Sequence, residues 1–146
     1  MRMRAAFPAL LCLLAACGGS EGPPLEVSGV NVFAPVPGSR MGVAYLTVSN
    51  RSRDAVVVNG ARSPEFEQVE IHETLLEGGV SSMRRMETLT IGGGESVVFE
   101  AGGRHLMLIG PRDGTVAGSS VTLEIEHDRG LLIVSAILKD RLTESR

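Results

Sequence analysis

Residues 66–73, Phe-Glu-Gln-Val-Glu-Ile-His-Glu, alternate between apolar and polar side chains with the two-residue period of a β-strand. In this register Val69 and Ile71 point to one side of the strand, and Glu70 and His72 point to the other. Residues 121–126, Val-Thr-Leu-Glu-Ile-Glu, show the same pattern. Alternation of this kind predicts half-buried strands, each with one face on a core and the other in solvent.

The rest of the chain has the composition of further short strands between turns rich in Gly, Pro, Asn and Ser. The predicted strands cover residues 27–36, 41–48, 54–59, 66–73, 87–91, 96–99, 106–109, 121–126 and 131–138. We expect the glycine triplet at residues 92–94 to be the turn of a hairpin. No segment of helical length has a sustained 3.6-residue apolar period, so the pattern predicts an all-β, antiparallel β-sandwich.

The N-terminus has the features of a bacterial export signal. Arg2 and Arg4 precede an apolar run that is too short to span a bilayer, and the run ends in Leu-Ala-Ala-Cys at Cys17. This sequence resembles a lipoprotein box, which implies removal of residues 1–16 and lipidation of Cys17. Residues 17–25 would then be a flexible tether, residues 26–140 the folded domain and residues 141–146 a tail. We therefore expect a protein on the periplasmic side of a bacterial cell envelope, lipid-anchored in the outer or inner membrane.

Charge and composition narrow the class of partner. Without residues 1–16 the chain has 12 basic and 17 acidic residues, which argues against nucleic acid and gives no polybasic lipid-binding signal. With four Phe, one Tyr and no Trp, the core must be mainly aliphatic. One domain is the natural expectation for 146 residues, and we expect it to be a monomer.

Any metal would have to be bound by His, Met, Asp or Glu, because Cys12 lies in the signal and Cys17 would carry lipid. His105 and Met107 are two residues apart in a predicted strand and therefore share a face, with Leu106 on the core side. His72 likewise faces away from the core register of its own strand. Three candidate ligands thus point outward, where a methionine is unusual unless it has a function.

The spacing of these residues resembles a known family. The chain resembles the signature of the PCu(A)C copper chaperones. In this pattern His72 is followed after ten residues by Met83 and, after a further twenty-one residues, by His105-Leu106-Met107. Residues 44–50, Ala-Tyr-Leu-Thr-Val-Ser-Asn, and residues 102–108, Gly-Gly-Arg-His-Leu-Met-Leu, are also similar to the family pattern, and the similarity runs from about residue 27 to residue 138. One departure is residues 31–35, Asn-Val-Phe-Ala-Pro, where members often carry Trp and Arg.

The resemblance implies a cupredoxin-like sandwich with Greek-key connections that binds Cu(I) through His72, Met83, His105 and Met107. It also implies a chaperone that supplies copper to the copper subunit of cytochrome c oxidase, to its assembly factors or to other envelope pools. Cu(I) is a soft ion that favours sulfur and imidazole, whereas zinc rarely recruits Met and a blue-copper site needs a Cys thiolate. The ligand types therefore agree independently with the implied metal.

Several alternatives stay open from the sequence alone. His72 and His105 could be ordinary strand and turn histidines, Met107 could pack in the core, and the segment around Met83 has no clear register. Met86 is an alternative or auxiliary metal ligand, and His127 is a surface residue or an auxiliary Cu(II) contact.

For the remaining candidates the expectations are structural. We expect Met41 to pack against or cap a strand. We expect Glu70 and Glu73 to be solvated, where either could help to attract cations. No nucleophile motif or catalytic pairing supports an enzyme. The competing hypothesis is a metal-free envelope lipoprotein that acts as a protein-interaction module.

Overall fold

The structure is a computed structural model that describes residues 23–142; the predicted signal, Cys17 and most of the predicted tether and tail lie outside these residues. The described residues contain no helix, and so none that is long and apolar enough to cross a membrane. They form ten strands: β1 (Leu25–Phe33), β2 (Met41–Asn50), β3 (Val56–Arg62), β4 (Phe66–Glu77), β5 (Val80–Met86), β6 (Leu89–Ile91), β7 (Ser96–Phe99), β8 (Arg104–Pro111), β9 (Ser120–His127) and β10 (Gly130–Lys139).

The strands form one continuous sheet in the order β5-β4-β8-β7-β2-β1-β10-β9-β3-β6. A contact between Ala61 of β3 and Val69 of β4 folds this sheet back onto itself as a flattened barrel or sandwich. Most pairings are antiparallel, whereas β1 with β10 and β7 with β8 are parallel. The predicted all-β, cupredoxin-like sandwich is confirmed, and its first and last strands are neighbours.

The core is aliphatic, as the composition predicts. Val121, Leu123 and Ile125 alternate along β9 and are each at most 3% exposed. Phe66 and Phe99 are the aromatic residues in the buried core cluster of the described chain. Branched side chains on the inward faces of paired strands remove most of their apolar surface from water, which stabilises the fold by about 25 cal/mol per Å².

Strand β5 is missing from the sequence-based prediction. Residues 80–85 are all exposed, so the segment has no apolar alternation that could reveal a strand. Seven consecutive register pairs to β4, from Ile71↔Met86 to Glu77↔Val80, hold it in place. Gly78 and Gly79 have positive φ angles of 58° and 82° and form the tight turn between the two strands.

Two further sequence-based predictions are wrong. The glycine triplet does not form a hairpin, because β6 pairs with β3 whereas β7 pairs with β2. The segment is a crossing loop in which the Gly93 backbone lies against the Arg53 carbonyl group, so close that a Cβ would overlap it. The predicted tether also ends too late, since Leu25 is 1% exposed and begins β1.

Candidate metal centre

The two outward-facing histidines lie side by side on neighbouring strands. His72 of β4 is the register partner of His105 of β8, and their ring centroids are 5.8 Å apart with planes tilted by 42°. The residues around them in sequence, Ile71 and Leu106, are buried in the core and are also register partners. The alternation of each strand therefore places both imidazoles on the outer face of the sheet.

Met107 occupies the same outer face, one step along β8 from His105. Its register partners are Glu70 on β4 and Val43 on β2, so it lies diagonally across from His72. Its side chain is half-buried, while the adjacent Leu108 is fully buried in the core. The strand register therefore excludes the alternative that Met107 packs in the core.

Met83 lies on the same outer face, on β5, which flanks β4 on the side away from β8. It is the register partner of Thr74, which lies two residues beyond His72 on β4 and therefore on the same face. The Met83 side chain is 61% exposed on the edge strand β5. The spacing of ten residues between His72 and Met83 follows from the β4–β5 turn, which returns the chain alongside β4. All four candidate ligands consequently share one face of three adjacent strands.

The other sulfur and imidazole groups are elsewhere. Met86 is the register partner of Ile71 and packs against the core, on the opposite face from Met83, so we drop it as an auxiliary ligand. His127 is buried on β9, which does not neighbour β4, β5 or β8, and is thus not the surface residue we expected. Met41 is on the outer face but is 54% exposed, so it does not pack in the way we expected.

Each imidazole of the pair has one ring nitrogen engaged and the other left over. His72 Nε2 lies 2.7 Å from Glu70 Oε2, and His72 Nδ1 is buried with no hydrogen-bond partner among the described residues. His105 Nδ1 lies 3.2 Å from the Gly103 carbonyl oxygen. Because a carboxylate or carbonyl oxygen accepts a hydrogen bond, each engaged ring nitrogen is the N–H donor, and in the neutral imidazole the other nitrogen carries a lone pair. Lone pairs on imidazole are what a metal ion needs.

Two carboxylates adjoin His72 along β4, Glu70 on the face of the pair and Glu73 on the opposite face, and both are paired with arginines. Arg85 lies 3.0 Å from Glu70, while Arg84 and Arg104 lie 2.8 Å and 3.1 Å from Glu73. The side chains of Glu70 and Glu73 are only 14% and 19% exposed, so the expectation that they are solvated is wrong. Sequence reasoning missed the contact of Glu70 with His72, although their two-residue separation in a strand was a signal for it.

Groups of three or more His, Cys, Asp or Glu side chains that could hold a metal ion are absent from the described residues. Among the titratable groups away from the pair, desolvation lowers the pKa of His127, and Glu124 raises the pKa of Arg62 by hydrogen bonding and charge.

A cleft of about 790 Å³ lies between β1 and β10, and none of its lining residues is a candidate ligand.

The β-sandwich is similar to solved PCuAC domains, which places the protein in the class of cupredoxin-like domains. The model of the LpqE-like family, described as "Putative lipoprotein LpqE-like", matches residues 25–133. The chain therefore belongs to the LpqE-like family, and the resemblance to PCu(A)C proteins found in its sequence is confirmed.

Solved structures of the same architecture carry copper in their descriptions. The solution structure of CuI-DR1885 from Deinococcus radiodurans is 28% identical, has a TM-score of 0.67, and matches 88% of this chain and 87% of that one. The copper-bound PCuAC domain from PmoF2 is 17% identical with a TM-score of 0.66 over 81% of this chain and 94% of its own, a likeness that shows the fold alone.

Curated relatives are less informative about function. "Putative lipoprotein Lxx21020" of Leifsonia xyli subsp. xyli is 25% identical over 82% of this chain and 74% of its own length. "Uncharacterized protein RP573" of Rickettsia prowazekii is 29% identical over 68% of this chain, which spans about half of that relative's length, at 54%.

Proposed function

We propose that this protein is a Cu(I)-binding chaperone or buffer of the bacterial cell envelope, which holds one ion with His72, Met83, His105 and Met107. The observation that carries the proposal is the His72–His105 pair, flanked on the same face by two thioethers. Imidazole nitrogens bind metals at about 2.0 Å, so two rings that share an ion have centroids up to about 6 Å apart. The separation of 5.8 Å between these rings is within that limit.

The ligand set suits transport of Cu(I) outside the cytoplasm. Thioethers stay neutral and cannot form disulfides, so they remain ligands in an oxidising compartment where thiolates would be lost. Two imidazoles and two thioethers also bind a soft ion less tightly than a thiolate cluster, which allows release to a recipient. The arrangement favours holding the ion over turning over a substrate, and we infer no catalysis.

The test is a Cu(I) competition titration under reducing conditions on the domain that begins after Cys17. The parent should bind one Cu(I), and Met83→Ala, Met107→Ala, His72→Ala and His105→Ala should each weaken binding by at least tenfold. Met41→Ala removes an exposed thioether from the same sheet face and serves as the control with unchanged affinity. If all four variants bound Cu(I) with the affinity of the parent, the proposal would be wrong.

We infer in addition that residues 1–16 are removed, that Cys17 is lipidated, and that residues 18–24 tether the domain to a membrane. The lipoprotein names of the family and of the Leifsonia relative support this location. The recipient that we propose is the copper centre of cytochrome c oxidase or one of its assembly factors. Metabolic labelling with a lipid precursor should mark the wild type and not Cys17→Ala, and copper-loaded protein should transfer its ion to the purified oxidase copper domain.

A protein-interaction module without metal is the alternative function. The cleft between β1 and β10 favours it, because Ile133 on its wall is 59% exposed and β1 meets β10 in register only at Val32↔Leu138 and Phe33↔Lys139. A variant that lacks all four candidate ligands separates the two functions. Loss of copper-dependent oxidase assembly in that variant supports the chaperone. Oxidase assembly at the level of the parent supports the interaction module.

A further inference from the structure

We propose that Glu70 is a positioning residue that fixes the tautomer of His72, so that His72 presents Nδ1 to the ion whereas His105 presents Nε2. This inference rests on the proposed function, because it assigns the binding atoms of the same site. It concerns a glutamate that does not touch the ion and two nitrogens that differ in ring position. The spacing of Glu70 and His72 in a strand places them on one face, but the sequence does not indicate which ring nitrogen of either histidine is free.

The Glu70 carboxylate is held in place by two donors other than His72. Gln68 Nε2 lies 2.6 Å and Arg85 Nη1 lies 3.0 Å from the same oxygen, Oε1. The second oxygen, Oε2, is left for His72 Nε2 at 2.7 Å. Because the side chain of Glu70 is only 14% exposed, water competes little for this oxygen. The carboxylate is therefore a fixed acceptor that selects the Nε2–H form of His72.

The other ring nitrogen of His72, Nδ1, has no interaction within the described part of the protein that this arrangement explains. Nδ1 is buried and has no hydrogen-bond partner among the described residues. Leaving a buried polar atom unpaired destabilises a fold, so such atoms are uncommon and each needs a physical reason. A metal ion at Nδ1 would satisfy the lone pair that Glu70 keeps free of a proton.

His105 is oriented differently. Its Nδ1 donates to the carbonyl oxygen of Gly103 at 3.2 Å, and that carbonyl also accepts the Thr74 backbone N–H at 3.1 Å. The backbone of the loop before β8 thus fixes the Nδ1–H form, and Nε2 remains as the lone pair. Histidine ligands that donate their second nitrogen to a carboxylate or a backbone carbonyl are common in metal sites.

Glu73 provides a matched control for Glu70. It adjoins His72 in the chain but pairs with Arg84 and Arg104 and is the register partner of Arg104, on the opposite face of β4 from His72. Glu73→Ala removes the same charge at a similar distance along the chain without touching the imidazole. A general loss of attraction for a cation would affect both variants, whereas loss of the tautomer would affect Glu70→Ala alone.

The experiment is a long-range ¹H–¹⁵N NMR spectrum of the histidine rings at about pH 8, where ordinary imidazoles are neutral. In the metal-free parent, His72 should carry its proton on Nε2 and His105 on Nδ1. On addition of Cu(I), the resonances of His72 Nδ1 and His105 Nε2 should move. A proton on Nδ1 of metal-free His72, or loss of the Nε2 proton of His72 when Cu(I) binds, would overturn the inference.

The variants add a second measurement. Glu70→Ala should give a mixture of His72 tautomers and weaken Cu(I) binding about 10- to 100-fold, whereas Glu73→Ala should change affinity less than about threefold. Equal losses in both variants would contradict a positioning role. If the parent binds no Cu(I), the proposed function fails, while the metal-free spectrum still decides whether Glu70 sets the tautomer. The parent spectrum also decides this if Glu70→Ala does not fold.

Discussion

At the scale of single residues, the face of a strand decides what a side chain can do. Met83 and Met86 are three residues apart on β5, yet Met83 shares the face of His72 and Met86 shares the face of Ile71. Three residues is an odd number in a two-residue period, so the two sulfur atoms must leave on opposite sides. One is therefore a candidate ligand and the other is part of the core packing.

This difference gives a paired prediction. Met83→Ala should change the free energy of unfolding by less than about 0.5 kcal/mol, because the side chain is 61% exposed. Met86→Ala should lower it by about 1–2 kcal/mol, because its side chain packs against the core. Chemical denaturation of the metal-free variants measures both. Greater destabilisation by the Met83 substitution would contradict the assignment of faces.

At the scale of elements, a loop and an edge strand position the parts of the site. The β4–β5 hairpin brings Met83 beside the strand that carries His72. The loop at residues 92–94 carries the chain from β6, next to β3, to β7, next to β2, and so leads into the strand before β8. The close approach of Gly93 to Arg53 is what allows this crossing to be tight.

Substitution of two glycines tests the importance of that approach. Gly93→Ala should lower the free energy of unfolding by about 2–3 kcal/mol, because its Cβ would overlap backbone atoms of Arg53, which cannot move like a flexible side chain. Gly60→Ala, in β3, meets nothing within 4 Å and should change it by less than about 1 kcal/mol. Equal unfolding midpoints of the two variants would show that the loop does not constrain the crossing.

At the scale of the whole molecule, the sheet closes around one core and brings distant stretches of chain together. His72 and His105 are separated in the chain by three strands, β5, β6 and β7, and by the crossing loop. They become neighbours because β4 pairs with β8 along seven register positions. An ion bound to both histidines would join β4 and β8, and binding by Met83 would add the edge strand β5. Binding should therefore stabilise the folded state, which alone forms the site.

Thermal unfolding with and without metal checks this linkage. Cu(I) at about one hundred times its dissociation constant should add about 2.7 kcal/mol to the free energy of unfolding, which corresponds to roughly 10 °C in Tm. Removal of the ion with a Cu(I) chelator should reverse the shift, and Mg²⁺, which prefers oxygen ligands, should produce none. The same shift in a variant without the four ligands would place the ion elsewhere.

The sequence by itself determined the all-β class, the aliphatic core and the outward register of His72, His105 and Met107. These features depend on local alternation, which a strand imposes on its own residues whatever their neighbours are. The resemblance carried by the His–Met spacing also predicted the family, and in this chain the first interval of that spacing is set by the length of the β4–β5 hairpin. The exposed strand β5 lay outside what alternation could detect, since none of residues 80–85 is buried.

Only the tertiary structure decided which strands are neighbours. Pairing between distant segments sets the 5.8 Å separation of the two imidazole centroids and the crossing path of the glycine loop. It also decided that Glu70 faces Arg85 and His72 instead of solvent. The physical reason is that register and hydrogen-bond partners across a sheet depend on the packing of the whole chain, whereas alternation is a property of each segment alone.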